Sequence, residues 1–336
     1  MKKLFFVFLS ASLLLLAFSC KNSLNTLAPY QDVTVVYGLL DQNDSIHYIR
    51  INKAYQTTGN AYTAATQYDS INYPAGTLNV QLQDYSNGSL VSTITLDTTS
   101  GVLVNPGTFS YPKQELYYTK HVINPNDQYN LIITNVKTNK VITGSTTMLP
   151  DVAVTVGGFS DFLSTSALDL TSPSAFPTTV EWSTNNEAMI YQLTMVFYYN
   201  EIDSIKKDTT TKMLNWIFGQ QTSPTLESGY PMTQQYSGEN FLQFVRTSLP
   251  LPASNIKRVA KYIEVMFVSG SSDLNVYILL SQPSLDVNQE KPFYTDLKNG
   301  VGIFTSRHIQ SSIRPLSPQT VDSLVDSDPG LNFKPR

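Results

Sequence analysis

Leu78-Asn-Val-Gln-Leu-Gln-Asp-Tyr-Ser-Asn-Gly-Ser-Leu-Val-Ser-Thr-Ile-Thr-Leu96 is the stretch from which the architecture can be read. Leu78, Val80 and Leu82 alternate with Thr77, Asn79, Gln81 and Gln83, the period of two that puts one face of a strand in a core and the other in water. Asn87-Gly88 then supplies two central residues that tolerate positive φ, as a two-residue hairpin turn requires, and the chain returns through Leu90 to Leu96.

The same grammar extends outward in both directions. Val33 to Leu40 and Ile46 to Asn52 are β-rich runs around the turn-forming segment Asp41 to Ser45. Leu116 to Val122, Tyr129 to Val136 and Lys140 to Thr146 follow, with Tyr129, Leu131 and Ile133 on one face. The run Ile123-Asn-Pro-Asn-Asp-Gln-Tyr129 fits the corner of an immunoglobulin-like sandwich, where a tyrosine hydroxyl bonds backbone just upstream. It fits an ordinary buried tyrosine equally well.

Met148-Leu149-Pro150 closes a first domain over 33–150. A second β-rich domain is expected over 151–310. It holds an irregular segment from Phe159 to Phe176, strands at Val180–Ser183 and Met189–Asn200, and a strand pair at Tyr262–Val268 and Leu274–Leu280. Asn299-Gly300 turns the chain into a late strand, Val301 to Thr305. The stretch Asp203 to Tyr236 has no clear period and reads as part of an irregular insertion or lid at about 203–250. Ser237 caps a short helix over Gly238–Ser248, and Ser317-Pro318 opens another in the tail, 311–336. The fold class is therefore all-β: two β-sandwich, immunoglobulin-like domains with short helical insertions.

The N-terminus gives an address. Lys2 and Lys3 precede an apolar run from Leu4 to Leu16, which has the length of a secretory signal and is too short to span a bilayer. Ala17-Phe18-Ser19-Cys20 then reads as a lipobox. Residues 1–19 would be removed, Cys20 acylated, and 20–32 left as a tether. Cys20 is the only cysteine, so no disulfide framework is available and the covalent lipid is the only added group expected. No acidic pair follows Cys20, which favours the periplasmic face of the outer membrane over surface display.

Composition excludes more than it selects. Charged residues make up 14% of the chain and the net charge is −4, without a basic block, which argues against a nucleic-acid partner. His47, His121 and His308 are scattered without metal-ligand spacing, so no metal site is expected. Gly158-Phe-Ser-Asp-Phe162 lacks the second glycine of a nucleophile elbow. Gly300-Val-Gly302 lacks the rest of a dinucleotide fingerprint, and Asp41 to Ser45 lacks the glycine and glutamate of a calcium loop. No catalytic residue is selected. The tyrosines are the better signal: Tyr117, Tyr118, Tyr198 and Tyr294 sit in aromatic clusters and are candidate ligand-binding residues. A tyrosine ring offers an apolar face with a polar tip, and it equally fills cores.

Several stretches together resemble one family. The lipobox at Cys20, Val35-Val-Tyr-Gly-Leu-Leu-Asp41 with Ile46-His-Tyr-Ile-Arg-Ile-Asn-Lys53, Tyr129-Asn-Leu-Ile-Ile133 leading to Thr147-Met-Leu-Pro150, and Asn299-Gly-Val-Gly-Ile-Phe304 are similar to uncharacterised Bacteroidota lipoproteins of domain-of-unknown-function family 4249 or a close relative. The resemblance implies an outer-membrane lipoprotein, often encoded beside TonB-dependent transporters, and carries over no catalytic residue. The expected function is a non-catalytic binding or accessory module for such a β-barrel transporter, or for a glycan or peptide. The alternatives are an envelope glycan or peptide hydrolase built on folded-together carboxylates, and a structural or adhesive envelope protein.

Overall fold

The computed structural model describes residues 31–157, 160–161, 164–171, 177–282 and 293–335. The signal peptide, Cys20 and most of the expected tether lie outside them. Strands dominate. The first eight are β1 (Thr34–Leu40), β2 (His47–Lys53), β3 (Leu78–Ser86), β4 (Ser89–Thr95), β5 (Asp97–Thr99), β6 (Leu116–Thr119), β7 (Gln128–Asn135) and β8 (Val141–Thr147). There follow β9 (Val154–Val156), β10 (Ser160–Asp161), β11 (Thr178–Ser183), β12 (Ala188–Asp203), β13 (Asp208–Ile217), β14 (Gln221–Thr222), β15 (Pro231–Tyr236), β16 (Ile256–Ser271), β17 (Val301–Pro315) and β18 (Phe333–Lys334).

They form two β-sandwiches that share one sheet. A ten-stranded sheet runs β13-β12-β16-β17-β1-β2-β6-β5 along its main path, with β14 and β18 paired beside it. Two four-stranded sheets, β4-β3-β7-β8 and β10-β9-β11-β15, cover its two halves. The strand that joins the halves is β17. Its start, Val301 to Ser306, lies parallel to β1, and the rest, Arg307 to Pro315, lies antiparallel to β16. Residues 301–306, expected in the second domain, thus belong to the first sandwich. The expected tail is equally structural, because Leu324, Leu331 and Phe333 are buried in the second core.

Each core follows from the alternation of its strands. Val36 and Leu40 of β1, Ile49 and Ile51 of β2, Val80 and Leu82 of β3, and Leu131 and Ile133 of β7 meet in the first, with Leu297 and Phe304 arriving from late in the chain. Gly38 is small because Phe304 needs its place: a Cβ there would stand 2.8 Å from the ring. Trp182, Tyr191, Phe197, Phe241 and Phe267 anchor the second core, with the Trp182 and Phe267 rings 5.1 Å apart, edge to face. Both sandwiches use a tyrosine corner. The Tyr129 hydroxyl accepts from the Asn124 N–H at 2.8 Å, and the Tyr191 hydroxyl accepts from the Asn185 N–H at 2.9 Å. Each such bond contributes about 1 kcal/mol and saves a part-buried donor from going unpaired.

The helices over Gly238–Ser248 and Pro318–Ser327 are present, capped by Ser237 and Ser317. Two expectations are corrected. The segment read as an irregular insertion from about 203 contains β13, β14 and β15. The first half of β13 is exposed on both faces, so burial imposes no alternation on its sequence. Leu274–Leu280, read as a strand, lies in a helix over Ser272–Ser281. There the Ser271 hydroxyl takes the Leu274 N–H at 3.1 Å, and this N-cap outweighs the β-propensity of Val276, Tyr277 and Ile278.

Candidate functional site

Alternation that buries one face of β1 and β2 must expose the other. Val35, Tyr37 and Leu39 point away from the first core, as do Tyr48 and Arg50. This outer face is not flat. The helix 272–281 and residues 293–294 wall it on the β17 side, and the segments around Tyr55, Ile71 and Phe109 wall it on the other. Between the walls lie two adjoining hollows of about 310 and 520 Å³, both lined by Val35 and Tyr37. Together they make one open groove with Tyr37 on its floor.

The groove is aromatic and held in shape by polar ties. Tyr37 is 42% exposed, and its ring meets Tyr277 edge-on at 6.4 Å. Burial and the Tyr277 hydroxyl push the Tyr37 phenol pKa up, while Arg50 pulls it down. Phe293 is 75% exposed on one wall, and Phe109 is exposed on the other. Arg50 Nε donates to Asn52 Oδ1 at 2.7 Å, and Asn52 Nδ2 donates to Asn72 Oδ1 at 2.8 Å and to the Ile71 carbonyl at 3.1 Å. The Tyr55 hydroxyl donates to the Ala61 carbonyl at 3.0 Å, and the Ser110 N–H to the Ala65 carbonyl at 3.0 Å. The wall opposite the helix is therefore tied to itself and to the floor.

Four tyrosines stood out in the sequence, and the structure separates them. Tyr294 lines the groove, and its hydroxyl donates to the Asp273 carboxylate. Tyr118 lies further along the same sheet face and packs on Tyr48 at 6.2 Å. Tyr117, one residue earlier, points inward and is 5% exposed in the first core, so it cannot present a ring to a ligand. Tyr198 is on the second sandwich near the far end of β17, packed at a tilt on Tyr262 with centroids 4.6 Å apart and its hydroxyl donating to Glu264. Sequence reasoning missed Tyr37, Arg50 and Tyr277. The signal for the first two was present, because each alternates with a buried neighbour.

The carboxylates nearest the groove are occupied. Both Asp296 oxygens accept from the Phe304 N–H at 3.0 Å. Burial, with the Asp273 charge adding to it against that hydrogen bond, pushes the Asp296 pKa up to about 6. Neither Asp273 nor Asp296 is among the residues lining the two hollows. Among the described residues, no three His, Cys, Asp or Glu side chains come together as a metal-binding group.

A second polar cluster lies where β17 passes between the sandwiches. His308 Nε2 is 2.6 Å from Asp151 Oδ1, and its Nδ1 is 3.8 Å from Asp41 Oδ1. Arg307 Nε is 3.5 Å from Asp41 Oδ2, and its Nη2 is 3.9 Å from Asp44. Burial opposes a charge on His308, but the Asp41 and Asp151 carboxylates outweigh it and raise the pKa above the ordinary 6.5. A raised pKa gives stability that is full below the unfolded value and lost as pH rises through the folded one. Urea unfolding is thus expected to show His308→Gln at its greatest disadvantage below the ordinary imidazole value of 6.5, shrinking as pH rises above it. A disadvantage that stays constant with pH would show that folding leaves the His308 pKa unshifted.

No protein-family model matches this chain, and no curated protein matches it. Among solved structures it is similar to the C-terminal globular domain of an oligosaccharyltransferase from Pyrococcus abyssi, at 8% identity and a TM-score of 0.26. The match covers 72% of this chain and 49% of that one, so it spans about half of the archaeal domain. A likeness of that size carries no argument about function.

Proposed function

We propose that this protein is a lipid-anchored envelope module that holds a saccharide chain in the groove over β1 and β2, without itself performing chemistry on it. The observation that supports this is the exposed floor and walls of aromatic rings, with Tyr37 at the centre. Exposed rings give pyranose faces something to stack on, and a tyrosine hydroxyl adds a polar contact at the rim. The sheet beneath the groove is paired on both sides of β1 and of β2. An extended peptide adding as a strand needs an open edge, and these strands do not offer one.

The anchor on Cys20, the outer membrane as its location and a TonB-dependent transporter as neighbour belong to the same proposal. They are supported by the lipobox and by the resemblance to that lipoprotein family. Among the described residues no helix is long and apolar enough to cross a membrane, and the lipid would serve as the attachment.

Titration calorimetry on the full-length protein in detergent tests the groove, using cellohexaose and hexagalacturonate as neutral and acidic probes. Tyr37→Ala is expected to weaken whichever hexamer binds by about tenfold or more, the loss typical of a central aromatic contact. Tyr198→Ala, on the other sandwich, is expected to change nothing. Failure of the wild type to bind either hexamer, or equal binding by Tyr37→Ala, would overturn the proposal.

A further inference from the structure

We infer that the saccharide taken by this groove is acidic, carrying carboxylate groups that Arg50 reads. The inference rests on the groove reading above and adds the charge of the ligand to it.

The argument begins with a local reversal of sign. The protein carries a net charge of −4, yet the residues lining the larger hollow include Arg50 and Lys53 and no carboxylate. The smaller hollow also has none among its lining residues. Among the described residues neither Arg50 nor Lys53 makes an ion pair, although five other basic side chains or imidazoles reach a carboxylate within 4.0 Å, Arg258 and Arg307 among them. Both cations are partly withdrawn from water beside aromatic rings, where an unanswered charge is costly.

Arg50 is also aimed. It stands directly opposite Tyr37 in the β1–β2 ladder. Its Nε is tied to Asn52, a buried side chain itself fixed by Asn72 and the Ile71 carbonyl. With Nε held, the guanidinium plane is set and its Nη edge is the part left to meet a ligand. A planar fork so placed matches a carboxylate with two parallel hydrogen bonds. Lys53, at the end of β2 and opposite core-facing Thr34, leaves the strand on the other face, so Arg50 is the cation aimed into the groove. Rings for sugar faces next to a fixed guanidinium describe a repeating uronate better than a neutral glycan.

The test compares hexagalacturonate with its fully methyl-esterified form, which keeps the sugar faces and removes the charge. With the full-length protein in detergent, the acid is expected to bind about tenfold or more tightly than the ester, and added salt is expected to erode that advantage. Arg50→Gln should bring the acid down to the level of the ester, with a much smaller change in the ester. Equal binding of acid and ester, with Tyr37→Ala still abolishing both, would overturn the acidic ligand and leave the groove standing. Binding of neither would overturn both. Hexaglutamate bound as tightly as hexagalacturonate would overturn the saccharide and point to an acidic peptide.

Discussion

Gly302→Ala is expected to destabilise the protein by about 3–5 kcal/mol, within the range reserved for severe backbone conflicts, and to leave little folded material. Gly302 sits at φ +112°, and a Cβ there would stand 2.0 Å from the Val36 carbonyl oxygen and 3.0 Å from its carbon. The obstacle is backbone, so no rotamer change relieves it. Gly302 and Val36 are partners in the parallel pairing of β17 with β1, and the strands must part to admit the methyl group. Parting them withdraws Phe304, fully buried, from the first core. Loss of a buried phenylalanine alone costs about 3–5 kcal/mol. Urea unfolding of the purified variant, or its failure to accumulate, checks this; stability within about 1 kcal/mol of wild type would mean that β17 is not held against β1 as described.

The second large effect is expected at Arg258. Its side chain is 2% exposed and ties together segments far apart in sequence. Nε and Nη2 each reach Glu201 Oε1 at 3.0 Å, Nη2 also donates to the Pro250 carbonyl at 3.0 Å, and Nη1 donates to the Leu331 carbonyl at 3.3 Å. Arg258→Ala leaves those carbonyls without their donor and opens a cavity beside Tyr199, over whose ring the guanidinium lies at 5.9 Å. We expect a loss of about 3–5 kcal/mol, with faster amide exchange over 329–334, the segment that pairs β18 with β16. Glu201→Gln should cost about 1 kcal/mol, because that end of the pair is partly hydrated and an amide still accepts. Equal exchange at 329–334 in wild type and Arg258→Ala would show that the C-terminal segment is held by its apolar contacts alone.

What the sequence disclosed was local. Alternation located β3 and β7, and Asn87-Gly88 does turn the chain with φ of 49° and 78°. Serine caps marked the helices at 238 and 318. The turn at Asn299, with φ of 62°, also stood where expected. Where burial imposes no pattern, as along Thr209 to Met213, the strand was invisible. Where a cap competes with propensity, as at Ser271, the apolar run misled. The pairing of β1 with β17 has no local signature at all, since it depends on chain brought together from both ends. The groove suffered the same fate: its floor comes from β1 and β2, and its walls from five further segments. Tyr294 and Tyr118 could be picked out as aromatic clusters, but Arg50 is a lone cation in an ordinary strand until Tyr37 and Phe109 are placed around it.

The route of β17 also bears on how such a chain acquires its shape. A polypeptide delivered N-terminus first presents β1 long before Val301 to Ser306 exist to pair with it. Until then one flank of β1 is an open strand edge, and edges of that kind attract unrelated strands. The entropic cost of closing so long a loop grows only slowly with length, but pairing across it retards folding. The N-terminal sandwich is therefore completed by the last quarter of the sequence, and a chain interrupted before residue 301 is expected to aggregate rather than yield a smaller stable protein.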